Sequence, residues 1–206
     1  MKHTEVMSLL ALAYLFHVQA QAQLVTYDFE GTQSTPSQVD GNLSAGSFQR
    51  NTGNAVGYSS GNGGGDAISG SGWTGVDSSN DKYWEFTVTA NAGVQLDLTQ
   101  LDFDYRSTPT GPSNWELTIN GALSGGGSLQ NDSSFQTVNA PLVLTGLDSA
   151  VVRISGFGAS SSGGTWRMDN VMLDGLAVAT VPEPSTWVLL CGGFLYLVRH
   201  VRKKRS

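Results

Sequence analysis

Hydrophobic and polar residues alternate in short runs along most of the chain, and turn-forming residues separate the runs. In the run Tyr83–Thr89, Trp84, Phe86 and Val88 fall on one face of an extended chain. The run Leu101–Arg106 alternates in the same way. Alternation with a period of two predicts β-strands that are buried on one face. No long apolar stripe of helical period accompanies these runs, so an all-β fold is expected.

Further strands are expected along the chain, and two local signals place them. Asn120-Gly121 is a hairpin signal, and Pro141 predicts an edge strand or a strand in two pieces. About eight strands at this spacing predict an antiparallel β-sandwich of the jelly-roll type. The other strands are expected at Leu24–Phe29, Trp115–Ile119, Thr137–Leu144, Ala150–Ile154 and Trp166–Leu173.

Two glycine-rich segments interrupt this pattern. The segment Asn51–Gly72 predicts a long loop or a set of tight turns, and Ser155–Gly164 predicts a second loop. A phosphate-binding loop is not favoured in the first segment, because no Gly-Lys-Ser/Thr follows its glycines.

The N-terminal segment has the layout of a secretory signal peptide. Lys2 supplies a positive charge, Met7–Phe16 is apolar apart from one serine, and the small residues Ala20 and Ala22 follow. Cleavage is expected after Ala20 or Ala22, with Ala22 preferred. This assigns residues 1–22 to the signal peptide and starts the mature chain at Gln23.

The C-terminal segment predicts a short membrane span that ends in a basic tail. Residues 186–201 would form a helix of about 24 Å, against a bilayer core of about 30 Å. Residues 199–206 hold five positive charges, which favour the cytoplasmic side. Pro182 and Pro184 separate the helix from residues 23–180, which form the ectodomain.

This ending resembles the PEP-CTERM sorting signal of Gram-negative-type bacteria. The resemblance covers residues 181–206 and rests on Val181–Thr186, the apolar run and the Arg/Lys cluster, in that order. It implies that the membrane peptidase exosortase recognises Pro182, Glu183 and Pro184 and removes the tail. It also implies export to the cell surface or an exopolysaccharide matrix. It implies nothing about the activity of the ectodomain.

Composition excludes several kinds of chemistry. Residues 23–180 contain fifteen acidic and five basic residues, so their formal charge is −10 and nucleic-acid binding is not expected. The three histidines (His3, His17 and His200) and Cys191 lie outside this segment. Ser-His-Asp and Cys-His catalysis and histidine-bound zinc are therefore excluded from it, whereas carboxylate-only chemistry remains open.

Two acidic residues form a candidate calcium site. Glu30 follows the first predicted strand and Asp169 lies in the last one, and these two strands often lie side by side in jelly rolls. Carboxylates at the end of a sheet suit a hard cation such as Ca²⁺. The alternative is that Asp169 and Asn170 cap a turn while Glu30 is solvated. The Asp28-Phe29-Glu30 and Asp169-Asn170-Val171 motifs also resemble those of several families of carbohydrate-binding modules.

Aromatic residues provide a second candidate site. Tyr58, Trp73 and Trp115 are candidates for stacking on sugar rings, with burial in the core as the alternative. Asp102 and Asp104 share a strand face, where paired carboxylates are catalytic in some enzymes but more often belong to a solvated surface.

The function that the sequence favours is that of an exported, non-enzymatic envelope or matrix protein with a structural or glycan-contacting role. Its expected partners are exosortase, the membrane before processing and an extracellular polysaccharide. Nucleic acid is not an expected partner. The alternatives are a glycan-active enzyme that uses carboxylates alone, and a surface protein without a ligand of its own.

Overall fold

The computed structural model describes residues 22–51, 56–79 and 82–180. These residues form thirteen β-strands and one 3-10 helix, Glu30–Thr32. The strands are β1 Ala22–Tyr27, β2 Gln38–Val39, β3 Leu43–Ala45, β4 Gln49–Arg50, β5 Gly57–Ser60, β6 Asp66–Ser71, β7 Tyr83–Ala90, β8 Val94–Ser107, β9 Asn114–Ile119, β10 Ala122–Ser128, β11 Gln136–Leu147, β12 Ser149–Phe157 and β13 Thr165–Ala179.

The strands form two sheets that face each other. In the first sheet the order is β11-β8-β13-β1-β2, with β6 paired to β13 and β5 paired to β6. In the second sheet the order is β10-β9-β12-β7-β3, with β4 paired to β7. All pairings are antiparallel. The predicted antiparallel β-sandwich is therefore confirmed for the described residues.

The alternating runs form the strands that the pattern predicts. In β7, Trp84, Phe86 and Val88 are buried while Glu85 and Thr87 are only half-buried. β9 and β10 form the hairpin predicted from Asn120-Gly121, and both turn residues have positive φ. The edge position predicted for the strand with Pro141 is also confirmed, because β11 pairs only with β8 among the described strands.

The first and last strands are neighbours, as expected. In the β1–β13 ladder, Ala22 pairs with Gly175 and Tyr27 pairs with Val171. β1 has the predicted length but begins and ends two residues earlier, because the chain turns at Phe29, which has φ 57°. The side chain of Phe29 is nevertheless fully buried. This turn directs the following residue, Glu30, toward the loop between β5 and β6.

The prediction of a loop over Asn51–Gly72 is wrong for residues 57–60 and 66–71. Gly57–Ser60 and Asp66–Ser71 form a hairpin, and β6 pairs with the start of β13. The turn itself, residues 61–65, contains four glycines, three of them with positive φ. The second predicted loop is shorter than expected, because Ser155–Phe157 belong to β12.

A continuous cluster of aromatic rings fills the space between the sheets. Tyr27 contacts Phe48 and Phe86, with ring centroids 5.5 and 5.0 Å apart. Trp73 contacts Trp84 at 5.5 Å and packs edge-on to a third tryptophan at 5.1 Å. Because buried aromatic side chains each remove a large apolar area from water, this cluster contributes a large share of the stability of the fold.

Residues 1–21 of the predicted signal peptide lie outside the described residues, as do the predicted membrane helix and sorting motif in residues 181–206. Ala22, the preferred cleavage position, is the first residue of β1. Within the described residues, no helix has the length and hydropathy required to cross a membrane.

Candidate functional site

Glu30 lies beside the glycine-rich turn of the β5–β6 hairpin. A Cβ atom built on Gly65 would lie 1.8 Å from Glu30 Oε1, so the carboxylate occupies the space that a side chain would need. Gly65 also has φ +70°, which favours glycine. Residue 65 must therefore be glycine for the Glu30 carboxylate to approach the turn in this way.

Asp169 approaches the same turn from β13. Its Oδ2 atom accepts a hydrogen bond from the backbone N–H of Asn62 at 2.7 Å, and its Oδ1 atom accepts one from the N–H of Asn170 at 2.8 Å. Asn170 has φ 47° and belongs to a register shift in the β8–β13 ladder. The irregular strand thus turns the Asp169 carboxylate toward the hairpin, where only 2% of the residue is exposed.

Asp104 lies opposite Asp169 in the β8–β13 ladder and accepts three side-chain hydrogen bonds. Thr137 Oγ1 donates to Oδ1 at 2.6 Å, while the amide groups of Asn62 and Asn170 each donate to Oδ2 at 3.0 Å. Asn62 therefore connects both carboxylates, since its backbone binds Asp169 and its side chain binds Asp104. We call Glu30, Asp104 and Asp169 the carboxylate cluster.

The environments of Asp169 and Asp104 move their pKa values in opposite directions. Burial raises the pKa of Asp169, and the nearby charges of Asp104 and Glu30 raise it further, against the two backbone N–H donors. Burial also raises the pKa of Asp104, but its three side-chain donors outweigh burial and lower the pKa overall. Asp104 is thus held as an anion, while Asp169 is protonated more easily than an ordinary aspartate.

The structure brings the two predicted calcium ligands together at one turn without assembling a complete metal site. A Cβ atom built on Gly61 would lie 2.6 Å from Asp169 Oδ2 and one built on Gly65 would lie 1.8 Å from Glu30 Oε1, so both carboxylates approach the same turn. No group of three or more His, Cys, Asp or Glu residues in the described ranges could hold a metal ion. Calcium binding by Glu30 and Asp169 therefore stays a prediction.

The structure corrects the prediction that Trp73 stacks on a sugar. Trp73 is fully buried, because its indole packs among other tryptophans and its Nε1–H donates to the Gly70 carbonyl at 2.8 Å. The Arg50 guanidinium covers the ring at 4.2 Å and donates to the Ser71 carbonyl, and burial lowers the pKa of Arg50. Trp73 is a core residue and presents no face to solvent.

The other two aromatic candidates differ in position. Tyr58 lies on β5, half-buried against the core. Trp115 is 6% exposed, and its ring packs edge-on to Phe103 at 5.3 Å. Trp115 nevertheless lies along an open groove, whereas the structure does not bring Tyr58, Trp73 and Trp115 together into one platform.

This groove runs along the β9–β10 edge of the second sheet and has a volume of about 550 Å³. Leu123 is 69% exposed there, and Phe157 is half-buried. The three consecutive glycines of β10 carry no side chains to fill the space. We call it the β9–β10 groove; it is lined by Asn114, Trp115, Glu116, Leu123, Gly125, Gly126, Gly127, Ser128 and Phe157.

Asp102 does not form a catalytic pair with Asp104. Only 8% of Asp102 is exposed, and both of its oxygens accept hydrogen bonds from Gln100 Nε2 at 2.7 Å. Asp102 also acts on Asp174, whose pKa is raised by burial and by the Asp102 charge. The two aspartates of β8 thus belong to separate polar networks.

The sequence does not identify two residues of the candidate sites: Asn62, which binds Asp104 and Asp169, and Phe157, which lines the β9–β10 groove. Asn62 lies in the glycine-rich segment for which the sequence predicts a loop. Its two hydrogen-bond partners, Asp104 and Asp169, lie 42 and 107 positions further along the chain. Phe157 lies within SGFGASSSGG, which also predicts a loop. A single aromatic residue between glycines was the only signal that marked its position.

Comparison with known proteins finds similar folds only among solved structures. No family model matches the chain, and no curated protein matches it. The CBM22-1 xylan-binding domain of Paenibacillus barcinonensis Xyn10C has a TM-score of 0.47 and 12% identity, covering 78% of this chain and 99% of that domain. The K3 cleaved adhesin domain of Lys-gingipain from Porphyromonas gingivalis has a TM-score of 0.46 and 8% identity, covering 74% and 98%.

A carbohydrate-binding module of family CBM36, solved with calcium and xylotriose, is also similar. Its TM-score is 0.40 at 14% identity, covering 61% of this chain and 92% of the module. With TM-scores below 0.5, these similarities carry no conclusion about a ligand of this chain. The chain's own residues must therefore support any function assigned to it.

Proposed function

We propose that this protein is an exported, non-enzymatic glycan-contacting protein of the cell envelope or extracellular matrix. The observation that carries the proposal is the β9–β10 groove, which combines apolar and polar groups in an open channel. Phe157 and Leu123 supply apolar surface for the faces of sugar rings, while Asn114, Glu116 and Ser128 supply hydrogen-bonding groups for hydroxyls. Its open shape suits a polymer that passes through without ending there.

Replacing Phe157 tests this proposal. Phe157→Ala should lower the affinity for the producing organism's own polysaccharide about fivefold, because stacking on one ring contributes on the order of 1 kcal/mol. Affinity electrophoresis with increasing polymer in the gel measures the change. Val143→Ala serves as a control, since Val143 is 93% exposed on the edge of the other sheet. Equal retardation of both variants and the unchanged protein would contradict the role of the groove.

The proposal includes export and sorting by exosortase. The support is the sequence alone: the signal-peptide layout of residues 1–22 and the ordered motif, apolar run and basic tail of residues 181–206. The protein would first be held in the membrane by residues 186–201 and then act at the cell surface or in the matrix.

A calcium ion bound by Glu30 and Asp169 is a further part of the proposal. The turn at residues 61–65 brings both carboxylates to one place, and carboxylate oxygens are the ligands that Ca²⁺ prefers. Millimolar calcium should raise the melting temperature, with magnesium as the comparison ion. Glu30→Gln should abolish the rise with little other effect, because Glu30 is exposed, and Asp169→Ala should also abolish it. An unchanged melting temperature in calcium would reject the ion.

A glycan-active enzyme is the second candidate function. One observation favours it: Asp169 and Asp104 have pKa values shifted in opposite directions, as an acid and a base require. Burial argues against it, since Asp169 is 2% exposed and both of its oxygens already bind backbone N–H groups. Cleavage products that disappear in Asp104→Asn would establish the enzyme and overturn the non-enzymatic proposal.

A further inference from the structure

Two arginines lie directly opposite each other on the outer face of the first sheet. Arg106 of β8 and Arg167 of β13 are cross-strand partners in the ladder, so their side chains leave the sheet on the same face. Like charges in this position destabilise a sheet. We call Arg106 and Arg167 the arginine pair, and their juxtaposition requires an explanation in a domain with few basic residues.

No carboxylate among the described residues forms an ion pair with either arginine. The Nε atom of Arg106 is buried and has no hydrogen-bond partner in the described part of the chain. Within the described residues, Arg167 Nη1 donates only to the backbone carbonyl of Ser60, at 3.3 Å. Burial lowers the pKa of Arg167, and the charge of Arg106 lowers it further. The pair is therefore a concentrated positive charge with unused donors.

Two carboxylates on this face already accept hydrogen bonds from groups other than the arginine pair. Asp104 and Asp169 stand two residues from Arg106 and Arg167 along their strands, a spacing of about 7 Å. Asp104 accepts from Thr137, Asn62 and Asn170, and Asp169 accepts from two backbone N–H groups. Both acids are thus turned toward the β5–β6 turn and the β11 edge, where these donors lie.

We propose that the arginine pair binds the carboxylate of an acidic sugar residue in a glycan. Guanidinium groups match carboxylates with paired, charge-assisted hydrogen bonds, and two of them can hold one carboxylate from both sides. Asp104 uses three of its roughly four acceptor positions, which leaves one for a sugar hydroxyl. A sugar acid carries both a carboxylate, which the arginine pair can bind, and hydroxyl groups, one of which can donate to Asp104. A simple anion has no hydroxyl group for Asp104, so this arrangement suits a sugar acid better. This inference rests on the proposed glycan-contacting function.

The negative charge of the whole domain does not prevent such binding. Residues 23–180 carry fifteen acidic and five basic residues, which repel a polyanion at long range. At physiological ionic strength the Debye length is about 8 Å, so distant surface charges are largely screened while direct contacts persist. Binding should therefore be measured near 0.15 M salt, where the arginine pair dominates over the distant charges.

Calorimetric titration of the full chain with two matched oligosaccharides tests the inference. The probes are tetragalacturonic acid and the same oligomer with its carboxyl groups reduced to alcohols. The acidic oligomer should bind at least tenfold more tightly than the reduced one. Arg106→Gln and Arg167→Gln should each weaken binding of the acidic oligomer about tenfold and leave the reduced oligomer unaffected. Arg153→Gln is the control, because Arg153 is paired with Glu85 on the second sheet at 2.5 Å.

The outcomes separate this inference from the proposed function. Equal binding of both oligomers, unchanged in the arginine variants, would overturn the arginine site, as would no binding of the acidic oligomer. Neither result changes what is expected for Phe157→Ala with the native polysaccharide. The Phe157→Ala experiment tests the proposed function and does not depend on the arginine pair. A folding defect cannot imitate the expected result, because an unfolded variant would also lose the reduced oligomer, which both arginine variants should still bind.

Discussion

Neighbouring groups shift the pKa values of two acidic side chains of the first sheet, Asp104 and Asp174, in opposite directions. Asp104 has three side-chain donors and a lowered pKa, whereas Asp174 has a raised pKa because it is partly buried near the Asp102 charge. The sequence predicts that Asp102 and Asp104 share a face, since strand periodicity is two. It could not predict their different partners, because Asn62 and Thr137 come from distant parts of the chain.

Asp174→Asn should stabilise the protein at neutral pH by less than about 1 kcal/mol, since partly exposed charges are screened. An acid with a raised folded pKa weakens the fold at every pH above that pKa. The penalty disappears as the pH falls toward the unfolded value, near 3.9. The increase in the free energy of unfolding should therefore be complete at pH 7 and disappear near pH 4. Urea unfolding of Asp174→Asn and the unchanged protein across this pH range measures it.

Glu116→Gln is the control for this substitution, because it also removes one negative charge but lies on the second sheet. A gain of equal size in both variants would attribute the effect to net charge and contradict the local repulsion. A gain in Asp174→Asn that persisted at pH 4 would contradict the raised pKa.

At the scale of strands, pattern and propensity identify most elements but fail where glycines replace side chains. β7, β9 and β12 alternate clearly, and the sequence predicts each of them to within a few residues. β5 and β6 contain too few apolar residues to show a period, and β6 is a strand because β13 supplies its ladder partners. The pairing of β6 with β13 also explains why Trp73 is buried. Trp73 follows β6 and contacts Trp84 and Trp166 in the core.

Gly156→Ala tests how closely the two sheets pack. A Cβ atom at this position in β12 would lie 2.7 Å from the Trp166 ring and 3.0 Å from the Trp73 ring. Since both rings are fully buried, they cannot move aside without disturbing the core, and the expected loss is about 1–3 kcal/mol in the free energy of unfolding. Urea unfolding at constant m-value measures it.

Gly41→Ala provides the matched control, because a Cβ atom there meets nothing within 4 Å. If both alanine variants unfolded at the same urea concentration, the close approach of β12 to the tryptophans would be refuted.

At the scale of the whole chain, the sequence predicts the β-sandwich, a signal peptide at the N-terminus and a sorting signal at the C-terminus. The two proposed ligand-contacting surfaces become visible only in the structure. The β9–β10 groove depends on a side-chain-free edge strand beside Phe157, and the arginine pair depends on the register between β8 and β13. Register between strands 60 residues apart is set by the bulges and by the packing of the core, which a periodic pattern does not encode.

Expression in a bacterium that carries exosortase tests the proposed sorting. The mature protein should lose about the first 22 residues and the tail beyond Pro182-Glu183-Pro184, and mass spectrometry of the recovered protein measures both losses. Replacement of Glu183 by Ala should leave the tail in place. A product that keeps Arg202–Arg205 in the membrane, in the presence of active exosortase, would show a permanent anchor in place of a sorting signal.

The pairing of β1 with β13 also decides how the domain responds to mechanical force. In the mature chain Gln23 begins β1 opposite Asp174, five residues before β13 ends at Ala179, so both termini of the domain leave the β1–β13 ladder at the same end. A pull applied through these two ends separates the strands like a zipper, breaking ladder hydrogen bonds one after another. Strands pulled from opposite edges would instead have to break all these bonds at once. Loaded through its ends, this domain therefore unravels gradually at low tension.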